Sequence, residues 1–241
     1  MDEPRRLATV DVTWRRWHRS VPWTSSVTGA VIIVEAVSPH PSNFFANPLQ
    51  AVLGFDQKVI DNVSPLHARW PWLDRCATVI TANAPQIYAL GFIATWYGLD
   101  PRDGQGREHI VRSVLSGAVA VVTARTIAGL IPRTRPFAAS TATIEHLVEH
   151  RPSHSFPSTH SAGSTGFVAG LGSSPAPLAA AFVPLTVGVV VSRIYSGLHW
   201  PTDVIAGSLV GLTVGRALKR VEVPAIRWLT ARITRLTPLL D

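Results

Sequence analysis

The chain alternates between apolar runs of about twenty residues and short polar stretches, and this alternation leaves few folds open to it. One run extends from about Cys76 to Tyr97 and the next from His109 to Ile131, separated by a polar turn from Asp100 to Glu108 that holds Gly104 and Gly106. As helices, both are long enough to cross a bilayer core of roughly 30 Å. Four more candidate spans lie at about Val21 to Val37, His160 to Gly172, Ala176 to Ile194 and Asp203 to Leu218. The run from His160 is mostly Gly, Ala and Ser; it is weak by hydropathy, and its small residues suit close helix packing. The expectation is an all-α integral membrane bundle of about six transmembrane helices.

Composition supports this. Only 15% of residues are charged and 46% are hydrophobic, against about 25% charged in soluble domains. The net charge of +7 is basic, but the cations are dispersed between apolar runs. Nucleic-acid binding predicts cations gathered on one face with stacking aromatics, so no such partner is expected. Cys76 is the only cysteine, which excludes an internal disulfide.

Six crossings put both termini on one side. Arg5, Arg6, Arg15, Arg16 and Arg19, the turn with Arg102 and Arg107, and the tail with Arg216, Lys219, Arg220, Arg227, Arg232 and Arg235 then fall together, and that side is expected to be cytoplasmic. Residues 1–23, with Trp14, Trp17 and Trp23 among the arginines, read as an interfacial segment and 24–219 as the transmembrane domain. Residues 220–241 read as a tail whose Ile226, Leu229, Ile233 and Leu236 form the apolar face of a membrane-surface helix. The same count brings the polar stretches 132–158 and 192–203 together on the outer face.

Three clusters meet there. The first is Arg125, Arg133, Arg135 and Pro136; guanidinium groups stay charged and grip phosphate oxygens in pairs, which points to an anionic ligand. Arg125 lies inside the apolar run, where an ionisable group points to a function. The second runs from Ser155 to His160, where Pro157, the Ser158 hydroxyl and the first amides of a helix form an anion cradle beside His160. The third runs from Ser192 to Asp203. Asp203 stands four residues after His199 at a helix start opened by Pro201, so its carboxylate is expected to accept a hydrogen bond from one ring nitrogen and leave the other as a nucleophile.

In order and spacing, Arg135-Pro136, Pro157-Ser158-Thr159-His160 and Ser192-Arg193 with His199 and Asp203 resemble the type 2 phosphatidic acid phosphatase superfamily. Softer residues, Thr126 to Leu130, Phe137, Ile144 to His146 and Ser155-Phe156, look most like its bacterial undecaprenyl-diphosphate phosphatases. Thr159 replaces the usual glycine. The family's lysine, seven residues before the arginine, is absent, and Ala128 stands there. Arg125, nearly one turn back, is expected to reach the same phosphate.

The resemblance implies a lipid phosphatase of the bacterial plasma membrane with its active site facing outside. His199 would attack the terminal phosphorus to give a phosphohistidine, with Asp203 orienting it and His160 protonating the leaving group. Arg125, Arg135, Ser158, Thr159 and Arg193 would hold phosphate oxygens, with no cofactor or metal. The substrate would be an isoprenoid or glycerolipid phosphate. Phosphatidate and phosphatidylglycerophosphate are alternative substrates, and a non-enzymatic lipid-phosphate binding or transport protein is the alternative outside enzymes. His146-Leu147-Val148-Glu149-His150 fits the spacing of inverted zinc proteases, yet Glu222, the only glutamate downstream, belongs to the opposite face. A loop helix at 141–150 is the simpler reading. Oligomeric state is not legible.

Overall fold

The structure, a computed structural model, describes residues 48–67, 69–100, 102–139, 147, 153–172, 180–220 and 224–237. The expected span at Val21 to Val37, the N-terminal arginine and tryptophan segment, both histidines of the zinc-protease pattern and, apart from Leu147, the loop helix at 141–150 lie outside the described residues.

Every regular element among the described residues is helical. Helix α1, Pro48–Val63, falls between the candidate spans read from the sequence. It buries Ile60 together with a carboxylate, Asp56, while Val52, Leu53 and Phe55 stay exposed, so its buried face is not a plain apolar stripe. Helix α2, Pro71–Gly98, opens on a proline at its first position. Helix α3, Gly104–Leu130, starts earlier than His109 because Asp103 caps it, Oδ1 accepting the Gly106 amide at 2.8 Å. These two, 28 and 27 residues long, are long and apolar enough to cross a membrane. A short α4, Pro136–Ala139, is followed by α5, Thr159–Leu171, α6, Phe182–Tyr195, α7, Pro201–Arg220, and α8, Pro224–Leu236.

Helices α3, α5 and α7 meet along small residues. A Cβ on Gly166 of α5 would stand 2.9 Å from the Cβ of Ala120 and 3.0 Å from the Ser116 carbonyl oxygen of α3, and one on Gly211 of α7 would collide with the Ala162 carbonyl oxygen. Ala120, Ala124 and Ala162 are fully buried in this seam. The α3–α5 pairing is antiparallel, with Val121 against Gly163, Ala120 against Gly166 and Ser116 against Gly170. The polar-looking α5 is thus enclosed by neighbours, which makes its weak hydropathy tolerable. On one flank Tyr88 of α2, Phe167 of α5 and Phe182 of α6 cluster with ring centroids 4.7 to 5.7 Å apart.

Helix α8 differs from expectation. Ile226, with Leu229 and Ile233, packs on Trp96 of α2 and Val111 of α3, and Trp96 Nε1 donates to Thr237 Oγ1 at 3.2 Å. Most of the apolar face expected to enter lipid is taken up by protein, because Trp96 and Val111 offer it a surface equally free of water, while Leu236 at its end stays exposed.

Outside the seam, Leu90 and Ile93 of α2, Val122 of α3, Val187 of α6 and Ile205 and Leu209 of α7 point outward. That much apolar exterior is costly in water and suits hydrocarbon. Between α2, α3 and α5 opens a cleft of about 880 Å³, walled by Tyr88, Phe92, Val114, Leu115, Val121 and Phe167 and ending at Arg125, Thr159 and His160.

Candidate active site

The α6–α7 turn delivers the central histidine. Gly197 adopts φ +66°, where a side chain would be strained, and the chain reverses there. Leu198, His199 and Trp200 are carried inward, His199 to 3% exposure. The His199 amide donates to the Arg193 carbonyl at 3.1 Å. Pro201 then opens α7, and Asp203 reaches back so that Oδ2 accepts the Trp200 amide at 2.9 Å, the returning half of a capping box.

Two contacts fix the imidazole tautomer. Nδ1 lies 2.8 Å from the Ser155 carbonyl oxygen, which only accepts, so Nδ1 carries the hydrogen. Nε2 lies 3.1 Å from Nη1 of Arg135, which only donates, so Nε2 keeps its lone pair. Burial pushes the His199 pKa down to about 4; the charges of Arg135 and Arg193 act the same way and Asp203 opposes them. At neutral pH this ring is uncharged, with the lone pair of Nε2 available. The expected Asp203 hydrogen bond is corrected here. Oδ2 stands 3.8 Å from Nδ1, beyond hydrogen-bond reach, because it is turned to the Trp200 amide.

Asp203 is instead tied to Arg133. Oδ1 accepts from Nη1 of Arg133 at 2.6 Å, and Nη2 of Arg133 reaches Oδ2 of Asp56 at 2.5 Å. Asp56, 1% exposed, also accepts the Thr202 amide at 2.9 Å and the Thr202 hydroxyl at 2.5 Å. Helix α1 thereby clamps the first turn of α7. Asp56 carried no sequence signal for this role, and Arg133 stood in the first cluster without one.

The flanking arginines are held by neutral groups. Arg135 donates to the Leu198 carbonyl at 2.7 Å, to Ser153 Oγ at 3.0 Å and to the His154 carbonyl at 3.2 Å. Arg193, 2% exposed, donates through Nη1 to the Thr81 carbonyl of α2 at 3.1 Å, while its Nε has no partner among the described residues. Pro85 explains the first contact. It lies inside α2, and without an N–H it cannot satisfy the carbonyl four residues earlier, that of Thr81. The orphaned acceptor becomes an anchor for the guanidinium.

Ser158 joins the two halves of the site. As N-cap of α5 it accepts the Ser161 amide at 3.3 Å through Oγ, and its own amide donates to the Asp203 carbonyl at 3.0 Å. The next residues, Thr159 and His160, line the cleft with Arg125. The structure therefore gathers Arg135, His199, Asp203 and Ser158 in one hydrogen-bonded cluster beside Arg193. Arg125, Thr159 and His160 stand at the adjoining end of the cleft, and Ala128 lies one turn beyond Arg125 on α3.

A family model described as the PAP2 superfamily matches residues 109–227. The match takes in 119 of the 241 residues, just under half of the chain. The PAP2 match contains every site residue anticipated from sequence and leaves out Asp56, Thr81 and Pro85, which belong to α1 and α2. The chain is 32% identical over 126 residues to the bacitracin transport permease protein BcrC of Bacillus licheniformis, covering 52% of this chain and 59% of that protein, less than two thirds of its length. It is 28% identical over 144 residues to the undecaprenyl-diphosphatase BcrC of Bacillus subtilis, covering 59% of this chain and 72% of that one. The crystal structure of a transmembrane PAP2-type phosphatidylglycerolphosphate phosphatase from Bacillus subtilis superposes with a TM-score of 0.51 at 21% identity, covering 73% of this chain and 87% of that one. At that identity the likeness concerns the fold.

Proposed function

We propose that this protein is a membrane lipid phosphatase that removes the terminal phosphate of undecaprenyl diphosphate through a phosphohistidine. The observation that carries the reading is the neutral tautomer of His199, whose lone-pair nitrogen faces Arg135. In the first step Nε2 attacks the terminal phosphorus, the bond to the bridging oxygen breaks, and His160 gives that oxygen a proton as it leaves with the lipid. Arg135 exchanges its contact with Nε2 for the phosphoryl oxygens. Arg193, Ser158 and the backbone at Thr159 hold the others, and Arg125 adds charge from the cleft. In the second step His160 takes a proton from water as the water attacks phosphorus, which releases inorganic phosphate and restores the imidazole.

Asp203 contributes its charge. A phosphoryl group transferring through a loose transition state needs positioning and positive charge above all, and guanidinium groups supply both, so the scheme requires no metal. The isoprenoid would lie in the apolar cleft. Six spans with cytoplasmic termini, an outward-facing site and a multi-pass location in a bacterial plasma membrane complete the proposal, supported by the distribution of arginines along the chain.

Phosphate release from undecaprenyl diphosphate by the detergent-purified chain, with phosphatidate and phosphatidylglycerophosphate in parallel, tests it. Turnover of the isoprenoid substrate above the other two, lost in His199→Ala, is expected. Preference for a glycerolipid would shift the substrate class, and no release from any of the three would favour a binding or transport role.

A further inference from the structure

Arg125 stands at the polar end of the cleft, apart from the arginines around His199. The α3–α5 register fixes its place. Val121 lies against Gly163, so Arg125, one turn outward on α3, is opposite Thr159, one turn back on α5. It shares the cleft wall with Thr159, His160 and the apolar Val121 and Val122. Arg125 has no hydrogen bond or ion pair among the described residues. A cation at the lip of an apolar cleft either meets an anionic ligand or reaches up to headgroups.

We propose that Arg125 binds the phosphate that stays on the lipid, so that the site selects a lipid diphosphate over a monophosphate. The inference rests on the phosphatase reading above. In that reading His160 protonates the oxygen that leaves with the lipid, which places the inner phosphate on the His160 side of the reacting phosphorus, with the tail continuing along the cleft. Arg125 lines the cleft with His160 on that side. Ala128, where the resembled family carries its lysine, is three residues further out, about 4.5 Å along the helix axis at roughly 1.5 Å per residue. Arg125, one turn deeper than Ala128 and beside His160 in the cleft, meets the phosphate behind the phosphoryl group in transfer. A monophosphate presents only an ester carbon there, and Arg125 gains nothing from it.

The test compares phosphate release from farnesyl diphosphate and farnesyl monophosphate by the full chain in detergent. Expected for Arg125→Ala is a fall of at least tenfold in the ratio of kcat/KM for diphosphate to that for monophosphate. Arg125→Lys should recover part of the ratio, because lysine keeps the charge and loses the fork. Ala128→Lys added to Arg125→Ala should raise both substrates alike and leave the ratio low. Equal losses on both substrates, or a ratio restored by Ala128→Lys, would show that Arg125 serves the transferred phosphate and overturn the inference. Wild-type values for both in Arg125→Ala would overturn it too, leaving an arginine that only reaches headgroups. Failure of the phosphatase reading looks different: the wild-type chain would hydrolyse neither compound, or His199→Asn would keep its turnover, and the inference would fall with it.

Discussion

Nδ1 of His199 donates to the Ser155 carbonyl oxygen at 2.8 Å while the Asp203 carboxylate stands 3.8 Å away. Backbone, not carboxylate, orients the ring, and Asp203 acts on it through charge. Once Nε2 takes the phosphoryl group the ring becomes cationic, and opposite charges 3.8 Å apart at an effective dielectric of about 20 attract by about 4 kcal/mol. Asp203→Asn should therefore lower kcat by about 100- to 1000-fold and change KM far less, read from initial rates of phosphate release. A loss below about fivefold would leave Asp203 only its cap and its ion pair.

Pro85 offers a change in which stability and activity move in opposite directions. Pro85→Ala returns an N–H to α2 and lets Thr81 complete a helical hydrogen bond, removing a defect worth roughly 3 kcal/mol in a helix interior. It also withdraws the acceptor that anchors Arg193. The melting temperature should rise while kcat falls about tenfold. A simultaneous fall in both would mean the proline serves packing alone.

The Asp56–Arg133–Asp203 chain predicts that α1 positions the site without touching substrate. Asp56→Asn leaves Arg133 with one carboxylate and should cost roughly 3 kcal/mol, as when one partner of a buried pair is removed. Thermal unfolding should report that loss, and kcat should fall with KM little changed. Asp56→Glu should recover part of kcat. A variant that melts lower yet turns over normally would confine the network to stability.

How legible this site was in the sequence depends on the kind of contact. His160, Arg193 and His199 sit at helix boundaries where polar residues interrupt apolar runs, so pattern and spacing exposed them. Ser155 contributes a backbone carbonyl, which any residue could supply, and no side-chain pattern announces it. Asp56 lies on a helix whose buried face mixes a carboxylate with Ile60, and its partner Arg133 is distant in the chain. The four-residue spacing of His199 and Asp203 did bring them close, but the competing Trp200 amide took the oxygen. The tail helix was recognised from its apolar stripe; that Trp96 and Val111 would cover the stripe is tertiary information.

The His199 pKa of about 4, against an ordinary 6.5, sets a pH dependence of stability. The unfolded chain takes up a proton below about 6.5 while the folded ring stays neutral, so in that window the unfolded state binds more protons. Stability then falls as pH drops from 6.5 towards 4. His199→Asn removes the titrating group and should lose less melting temperature between pH 7 and pH 5 than the wild-type chain. Equal losses would contradict the buried neutral imidazole.

Arginines in the place of metal predict that EDTA leaves phosphate release unchanged at concentrations that abolish a metal-dependent control enzyme. Loss of turnover restored by a divalent cation would contradict the scheme.

The most direct measurement is rapid-quench capture of the enzyme on undecaprenyl diphosphate labelled in its terminal phosphate. The account predicts a labelled protein whose phosphate is stable in alkali and lost in acid, located on His199 and absent from His199→Ala. Turnover by a His199→Ala protein at the wild-type rate, with no label on either, would contradict it.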